Sequence, residues 1–134
     1  MKKTFLEINI KALEHNYFKI KSKIGNQTKL LGVVKANAYG SDLIIIAKKL
    51  EELKIDYLAV AYVSEGLRLR KAGIKTPILV FIPQVEDIED IVEYQLQPSI
   101  YSFYFLNNFN FHLKSNNIQG YPCHLKINTG LNRI

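Results

Sequence analysis

Short apolar runs alternate with amphipathic helical patterns along most of the chain, and this alternation limits the possible folds more than any other feature. The apolar runs centre near residues 32, 59, 79, 99 and 125, and between them apolar residues recur at steps of three and four. Their spacing of about 20 to 27 residues is that of one βα unit. The pattern therefore predicts a parallel sheet with helices outside it.

The N-terminal segment has two patterns of its own. Alternation in "TFLEINI" predicts a short strand, and from Ile10 onward the apolar residues follow one helical stripe. In "SEGLRLRKAG", Ser64 is a candidate N-cap and Gly73 a candidate C-terminal stop. The other predicted helices are "DLIIIAKKLEEL", "VEDIEDIVEY" and "FYFLNNFNFHLKS".

Five predicted strands fit either an open doubly wound sheet or part of a (β/α)₈ barrel, which usually needs about 250 residues. No G-x-G-x-x-G motif follows the first predicted strand, so a dinucleotide fold has no support. The sequence stops at "GLNRI", directly after a predicted strand and without a covering helix. We therefore expect a piece of a longer protein.

The composition predicts a globular domain in the cytoplasm. Hydrophobic residues make up 48% and charged residues 22%, and a single cysteine excludes an internal disulfide. No apolar run approaches the roughly 18 residues that would span a membrane. The charge of +6 is spread over helical faces, which favours solvated surfaces over a nucleic-acid site, and the histidines lack metal-ligand spacing.

One lysine stands where a buried strand should end. In "GVVKANAYGSD", Lys35 follows an apolar run, and ligand chemistry in parallel α/β folds collects at the carboxyl ends of strands. Lys126 closes another predicted strand. Position alone leaves two interpretations open: a lysine that reaches solvent, or a desolvated amine that attacks a carbonyl group.

The segment "VVKANAYG" resembles the cofactor-lysine motif of the alanine racemases, pyridoxal-phosphate enzymes of fold type III. "FLEINIKALEHNY", "LAVAYVSEGLRLRKAGIKTPILVF" and "HLKINTGLNRI" resemble further segments of that family, in the same order. The resemblance implies an α/β fold, part of a (β/α)₈ TIM-type barrel. Residues 1–134 would supply about five of its eight parallel strands, with a short N-terminal strand and helix. The remaining barrel half and a β-rich domain would lie outside this chain.

The same resemblance implies roles for four residues. Lys35 would hold pyridoxal phosphate covalently and then act as acid and base on one face of the substrate. Tyr39 would donate a hydrogen bond to the cofactor phosphate. Arg133 would contact the phenolic oxygen of the cofactor and the substrate carboxylate. Lys126 would be carbamylated, and its acquired negative charge would orient the arginine.

The resemblance implies conversion of L-alanine to D-alanine for peptidoglycan precursors by a homodimer of the full-length protein, with no metal. A base on the opposite face would come from the partner subunit, so we expect this chain alone to be inactive. The sequence departs from the family pattern at two places. Ser41-Asp42 stands in place of His-Gly and could supply a helix cap, and Asn128 replaces an aspartate.

Three alternatives remain open at this point. The chain could belong to a racemase for another amino acid, such as serine or lysine. It could be a truncated remnant that carries pyridoxal phosphate without catalysis. It could also be an open α/β domain that binds no cofactor.

Overall fold

The computed structural model describes residues 4–25 and 27–132, and it contains the predicted strands and helices from Ile10 onward in the predicted order. The elements are α1 (Ile10–Ile24), β1 (Leu31–Val33), α2 (Lys35–Tyr39), α3 (Leu43–Glu52), β2 (Tyr57–Val60), α4 (Val63–Lys71), β3 (Ile78–Val80), a 3₁₀ turn (Val85–Asp87), α5 (Ile88–Glu93), β4 (Gln97–Ile100), α6 (Phe103–Ser115) and β5 (His124–Leu125).

The prediction of a short N-terminal strand is wrong. Residues 4–9 have no strand structure, and Phe5 and Leu6 are 83% and 63% exposed. An alternating segment becomes a strand only where another strand satisfies its backbone N–H and C=O groups. The sheet begins instead at β1 and provides no such neighbour for residues 4–9.

The strand order distinguishes between the two candidate architectures. The five strands lie side by side in the order β1-β2-β3-β4-β5, and every neighbouring pair is parallel. A doubly wound sheet reverses its strand order at a switch point, whereas a barrel adds each new strand on the same side. The observed order is that of a barrel.

The sheet is curled rather than flat. Tyr57 on β2 and His124 on β5 are three strands apart in the sheet order, which in a flat sheet would separate them by roughly 14 Å. Their ring centroids lie 5.8 Å apart, and Nε2 of His124 lies 3.0 Å from Oε1 of Gln97 on β4. These side chains share the concave face, and the strands form a sector of a (β/α)₈ barrel.

The hydrophobic core lies between the convex face of the sheet and the helices. Leu58, Ile78 and Leu69 have no exposed surface. The packing around Gly32 on β1 is close, because a Cβ atom there would lie 2.8 Å from Cδ1 of Ile55 and 2.9 Å from Cδ1 of Leu50 and these side chains would have to shift. The sheet and the residues that cover its convex face are therefore in close contact.

At the amino ends of the strands, the side chain of Arg70 binds several loops together. Its Nε atom donates to the carbonyl of Tyr94, its Nη1 atom to those of Ile74 and Thr76, and its Nη2 atom to that of Gln95, at 2.8 to 3.2 Å. Hydrogen bonds from a charged group are stronger than neutral ones. This guanidinium therefore has a structural role.

Two carboxylates at the same end have similar roles. Oε1 of Glu51 accepts hydrogen bonds from the N–H groups of Lys75 and Thr76 and from the Thr76 hydroxyl, at 2.7 to 2.9 Å. Partial burial raises the pKa of Glu51, but these hydrogen bonds outweigh burial and the net shift is downward. Asp56 accepts from the N–H of Leu30 at 2.7 Å, a bond that lowers its pKa.

Candidate active site

The candidate site begins where β1 passes into α2, which we call the lysine turn (Lys35–Tyr39). The N–H of Val34 still pairs with the carbonyl of Ala59 on β2 at 2.8 Å, and the Val34 side chain is 1% exposed. Lys35 is the next residue and is partly exposed. The predicted position of Lys35 at the carboxyl end of a strand is therefore confirmed. The prediction that this strand is buried on both faces is wrong, because β1 is an edge strand of the described sheet and Leu31 is 36% exposed.

The lysine turn is left-handed. The φ angles of Ala36, Asn37, Ala38 and Tyr39 lie between 51° and 55°, and none of these residues is a glycine. The left-handed conformation costs roughly 1–2 kcal/mol per L-residue. Hydrogen bonds from Ala38 N to the Val34 carbonyl and from Gly40 N to the Ala36 carbonyl, at 2.9 and 3.0 Å, close the turn. A conformation this costly persists only where its surroundings hold it in place.

Glu65, in the first turn of α4, provides one of these external contacts. Its Oε1 atom accepts a hydrogen bond from the N–H of Ala36 at 2.6 Å. Its Oε2 atom accepts from the N–H groups of Ala61 and Tyr62, at 2.8 and 3.3 Å. One carboxylate thus joins the chain after β1 to the chain after β2.

The sequence predicted no role for Glu65. Ser64 is the residue predicted to cap this helix, but α4 begins at Val63 and the N-cap residue is Tyr62. A glutamate three residues after the N-cap is the second half of a capping box, so this spacing could have indicated the bond of Glu65 to Tyr62 but not its contact with Ala36.

The far side of the lysine turn is held by Asn37 and Asp42. Oδ1 of Asn37 accepts from the N–H of Leu43 at 3.2 Å. Oδ1 of Asp42 accepts from the N–H groups of Ile44 and Ile45, both at 2.9 Å, so Asp42 caps α3. The expectation that Ser41-Asp42 supplies a helix cap is confirmed for Asp42. The turn is therefore fixed to α3 on one side and to α4 on the other.

The two predicted cofactor ligands of the turn, Lys35 and Tyr39, have no partner in the part of the chain that the structure describes. Within residues 4–25 and 27–132, no group is bonded to the Lys35 amine or to the Tyr39 hydroxyl. Tyr39 is 68% exposed. A primary amine and a phenol four positions apart can together receive a ligand that carries both an aldehyde and an anionic group.

The other two predicted site residues lie beyond β4. Lys126 directly follows β5, donates its N–H to the carbonyl of Ile100 at 2.9 Å, and borders an open cavity of about 190 Å³ beside Tyr101 and Phe103. Arg133 lies outside the residues that the structure describes. Asn128 accepts hydrogen bonds from two nearby N–H groups, so its amide shapes the loop after β5.

The described residues provide neither a membrane-spanning helix nor a cluster of metal-binding side chains. No helix in the described ranges is both long and apolar enough to cross a bilayer. The same parts of the chain gather no set of three His, Cys, Asp or Glu side chains that could hold a metal ion.

Comparison with known proteins places these features in one family. The family model "Alanine racemase, N-terminal domain" matches residues 8–134. The alanine racemase of Thermodesulfovibrio yellowstonii is 38% identical over 133 residues, which cover 96% of this chain and 35% of that protein. An amino-acid racemase of Enterococcus faecalis is 37% identical over 131 residues, 96% of this chain and 18% of that protein. The chain thus spans about a third, or less, of the length of these relatives.

Solved structures agree in fold. An alanine racemase of Clostridium difficile 630 superposes with a TM-score of 0.86 at 37% identity, over 91% of this chain and 34% of that one. The alanine racemase of Bartonella henselae with covalently bound pyridoxal phosphate superposes with a TM-score of 0.83 at 23% identity, over 94% of this chain and 35% of that one. The parallel sheet of this chain is therefore the first part of such a barrel.

Proposed function

Because the chain belongs to the alanine racemase family through its N-terminal domain, we propose that it is the cofactor-holding part of a pyridoxal-phosphate racemase that converts L-alanine to D-alanine. The observation that carries this proposal is the lysine turn. It offers the Lys35 amine and the Tyr39 hydroxyl, which have no partner among the described residues, at the carboxyl ends of the strands, where barrel enzymes bind their substrates.

The residues of the turn fit pyridoxal phosphate, which is bound covalently in the Bartonella racemase. Lys35 would hold its aldehyde carbon through Nζ, and Tyr39 would donate its hydroxyl hydrogen to a phosphate oxygen. Neither contact requires another bond to break, because neither group has a partner within the described residues. A lysine bonded to a carboxylate would first have to lose that ion pair.

In the proposed reaction Lys35 has a second task. When bound, pyridoxal phosphate withdraws electrons from the α-carbon of an attached amino acid and so stabilises the carbanion left by loss of the α-proton. Nζ of Lys35 would take up or return that proton on one face of the carbon. The opposite face needs its own acid and base, which we place in a partner subunit of a homodimer. This chain by itself would then not racemise efficiently.

Arg133 and Lys126 complete the proposed site. The Arg133 guanidinium would contact the cofactor's phenolic oxygen and the substrate carboxylate, and a carbamylated Lys126 would orient it. Lys126 directly follows the last described strand and lies seven residues before Arg133 in the sequence. We further propose that the rest of the barrel and a β-rich domain follow in a longer, cytoplasmic protein whose product enters peptidoglycan precursors.

A second candidate is a racemase for another amino acid. The Enterococcus faecalis relative, described only as an amino-acid racemase, is 37% identical to this chain, close to the 38% of the first alanine racemase. The lysine turn would serve any α-amino acid equally, because it contacts the cofactor and the α-carbon. Substrate choice would then depend on side chains elsewhere in the barrel.

The test uses the complete protein that carries this chain, supplied with pyridoxal phosphate. Chiral analysis follows L-alanine, L-serine and L-lysine, with deuterium uptake from heavy water as a measure of α-proton exchange. Lys35→Arg keeps the charge but should lose at least about 1,000-fold in rate. Lys29→Arg, an exposed lysine just before the same strand, should stay within about twofold.

Each outcome decides between candidates. Activity on alanine that is lost only in Lys35→Arg supports the first proposal, and activity confined to serine or lysine supports the second. A Lys35→Arg protein that racemises normally contradicts both. A wild-type protein that holds the cofactor on Lys35 but exchanges no α-proton would be a carrier without catalysis.

A further inference from the structure

We propose that Glu65 is a positioning residue that holds the lysine turn in its left-handed form and thereby sets the direction of the Lys35 side chain. The proposal rests on the proposed function, since it concerns the same turn. Glu65 lies 29 positions from Ala36 in the sequence, yet its carboxylate accepts that residue's N–H at 2.6 Å.

The position of this hydrogen bond matters because the Ala36 N–H belongs to the peptide that follows Lys35. Fixing that peptide plane restricts ψ of Lys35 and so restricts the direction of its Cα–Cβ bond. Ala36 is also the first residue of the left-handed run, with φ at 51°. A contact at this point therefore acts where the chain changes from strand to left-handed turn.

Capping alone does not explain the contacts of Glu65. A capping-box glutamate needs only the N–H of the N-cap residue, here Tyr62, which Oε2 accepts at 3.3 Å. Oε2 also accepts the shorter bond from Ala61 at 2.8 Å, and Oε1 is directed to a different strand end. The carboxylate therefore bridges β1 and β2 at their carboxyl ends.

The chemistry of the bridge requires a carboxylate. Three N–H groups meet the two oxygens of Glu65, and each N–H needs an acceptor. A glutamine has one acceptor oxygen, which keeps two of these donors only when it faces Ala61 and Tyr62, so its NH₂ group would then face the N–H of Ala36. Glu65→Gln should therefore open one arm of the bridge while changing the side-chain volume very little.

The chain offers a matched control in Glu51. This glutamate also accepts three hydrogen bonds from a neighbouring loop, but at the amino end of β3, far along the strands from Lys35. All three reach one oxygen, Oε1, so Glu51→Gln can keep them. It removes the same negative charge without touching the lysine turn.

The first experiment is amide hydrogen exchange in the complete, cofactor-free protein. In Glu65→Gln, exchange at Ala36 should be about tenfold faster than in the wild type, because its charged acceptor is weakened. Glu51→Gln should leave exchange at Ala36 unchanged. Unaltered exchange at Ala36 in a folded Glu65→Gln protein would overturn the proposal.

The second experiment measures how fast Lys35 captures added pyridoxal phosphate, by borohydride reduction at timed intervals and mass spectrometry of the peptide. Glu65→Gln should be about tenfold slower, since a misaligned nucleophile loses its near-attack geometry. Urea unfolding of both variants separates this effect from lost stability, because a purely structural role would slow capture only in proportion to unfolding.

The outcomes separate this inference from the proposed function. If wild-type Lys35 captures no cofactor, the proposed function fails, whereas the exchange at Ala36 still tests the role of Glu65. If Glu65→Gln does not fold, Glu65→Asp replaces it, because the shorter side chain keeps the charge but cannot reach both strand ends. Wild-type exchange and capture in Glu65→Asp would contradict the bridge.

Discussion

The two ends of the sheet differ in which polar side chains are left available. At the amino ends of the strands, Arg70, Glu51 and Asp56 bond to backbone groups of neighbouring loops. At the carboxyl ends, the described structure leaves the Lys35 amine and the Tyr39 hydroxyl without partners and holds their backbone through Glu65 instead. Polar side chains fix the chain in both regions, but only at the carboxyl end do they hold a turn whose own amine and hydroxyl stay available among the described residues.

This division explains why residues of the same type differ in role. Glu51 and Glu65 both accept three hydrogen bonds, but the first joins a helix to the start of a strand and the second supports a left-handed turn. In barrels, stability resides mainly at the amino end of the strands and chemistry at the carboxyl end. Mutations at the two ends should therefore affect different measurements.

The largest loss of stability is expected from Arg70→Ala. The substitution removes the donor to the carbonyls of Ile74, Thr76, Tyr94 and Gln95, and we expect about 3 kcal/mol less free energy of unfolding. Urea unfolding measures this change. Lys71→Ala, an exposed neighbour on the same helix, should change stability by less than about 0.5 kcal/mol. If both variants lowered the free energy of unfolding equally, the hydrogen bonds of Arg70 would not be what stabilises the amino end.

Tyr121→Phe should cost about 1 kcal/mol, because the Tyr121 hydroxyl contacts the carbonyls of Ile91 and Leu96 at 2.6 and 2.9 Å. Burial raises the pKa of Tyr121 to about 12, although nearby Arg70 acts in the opposite direction. A pKa above the unfolded value of about 10 means that this contribution is complete below pH 10 and disappears as the pH rises towards 12.

Urea unfolding across this alkaline range should therefore show the difference between wild type and Tyr121→Phe shrinking from pH 10 upward. A difference that stays constant to pH 12 would mean that the hydroxyl titrates alike in the folded and unfolded chains.

Asp42→Ala tests the carboxyl end. Loss of the cap should cost about 1 kcal/mol and should also speed hydrogen exchange in the adjoining lysine turn. Asn9→Ala removes an equivalent cap from α1, where Oδ1 of Asn9 accepts from the N–H of Ala12 at 2.9 Å. It should cost a similar amount and leave the turn unchanged. Faster exchange of the turn in both variants would show that the turn responds to general stability.

The smallest effect on stability is expected from Tyr39→Phe. The hydroxyl is without a partner among the described residues, so unfolding should change by less than about 0.5 kcal/mol, whereas the Kd for pyridoxal phosphate should rise about tenfold. Tyr104→Phe, at a tyrosine that is 71% exposed on α6, provides the control and should alter neither quantity. A cofactor affinity that is equal in both variants would contradict the phosphate role of Tyr39.

Much of the fold could be predicted from the sequence because strand and helix periodicities differ clearly. The parallel sheet and the helices from Ile10 onward follow from that alternation. The short strand expected in residues 4–9 does not form, because pairing depends on a neighbouring strand and not on local alternation. The choice of a barrel over an open sheet depended on strand order and curvature, which are long-range properties.

The candidate site was predictable only in part. The motif around Lys35 and the cap at Asp42 are local patterns. The left-handed turn is not, because Ala36 to Tyr39 contain none of the glycines that usually mark this conformation. The role of Glu65 was hidden for a related reason: a glutamate in "SEGLRLR" matches an ordinary helix face, and its partner Ala36 lies 29 residues away.

The central claim is that the carboxyl end of the sheet is the reactive end. Its most direct test is to identify the lysines to which pyridoxal phosphate attaches. The complete protein is incubated with a limiting amount of cofactor, reduced with borohydride, digested and analysed by mass spectrometry. We predict that the label concentrates on Lys35, while Lys29 at the opposite end of β1 stays at the level of the other exposed lysines. Label distributed over the lysines according to their exposure, with no excess on Lys35, would contradict the account.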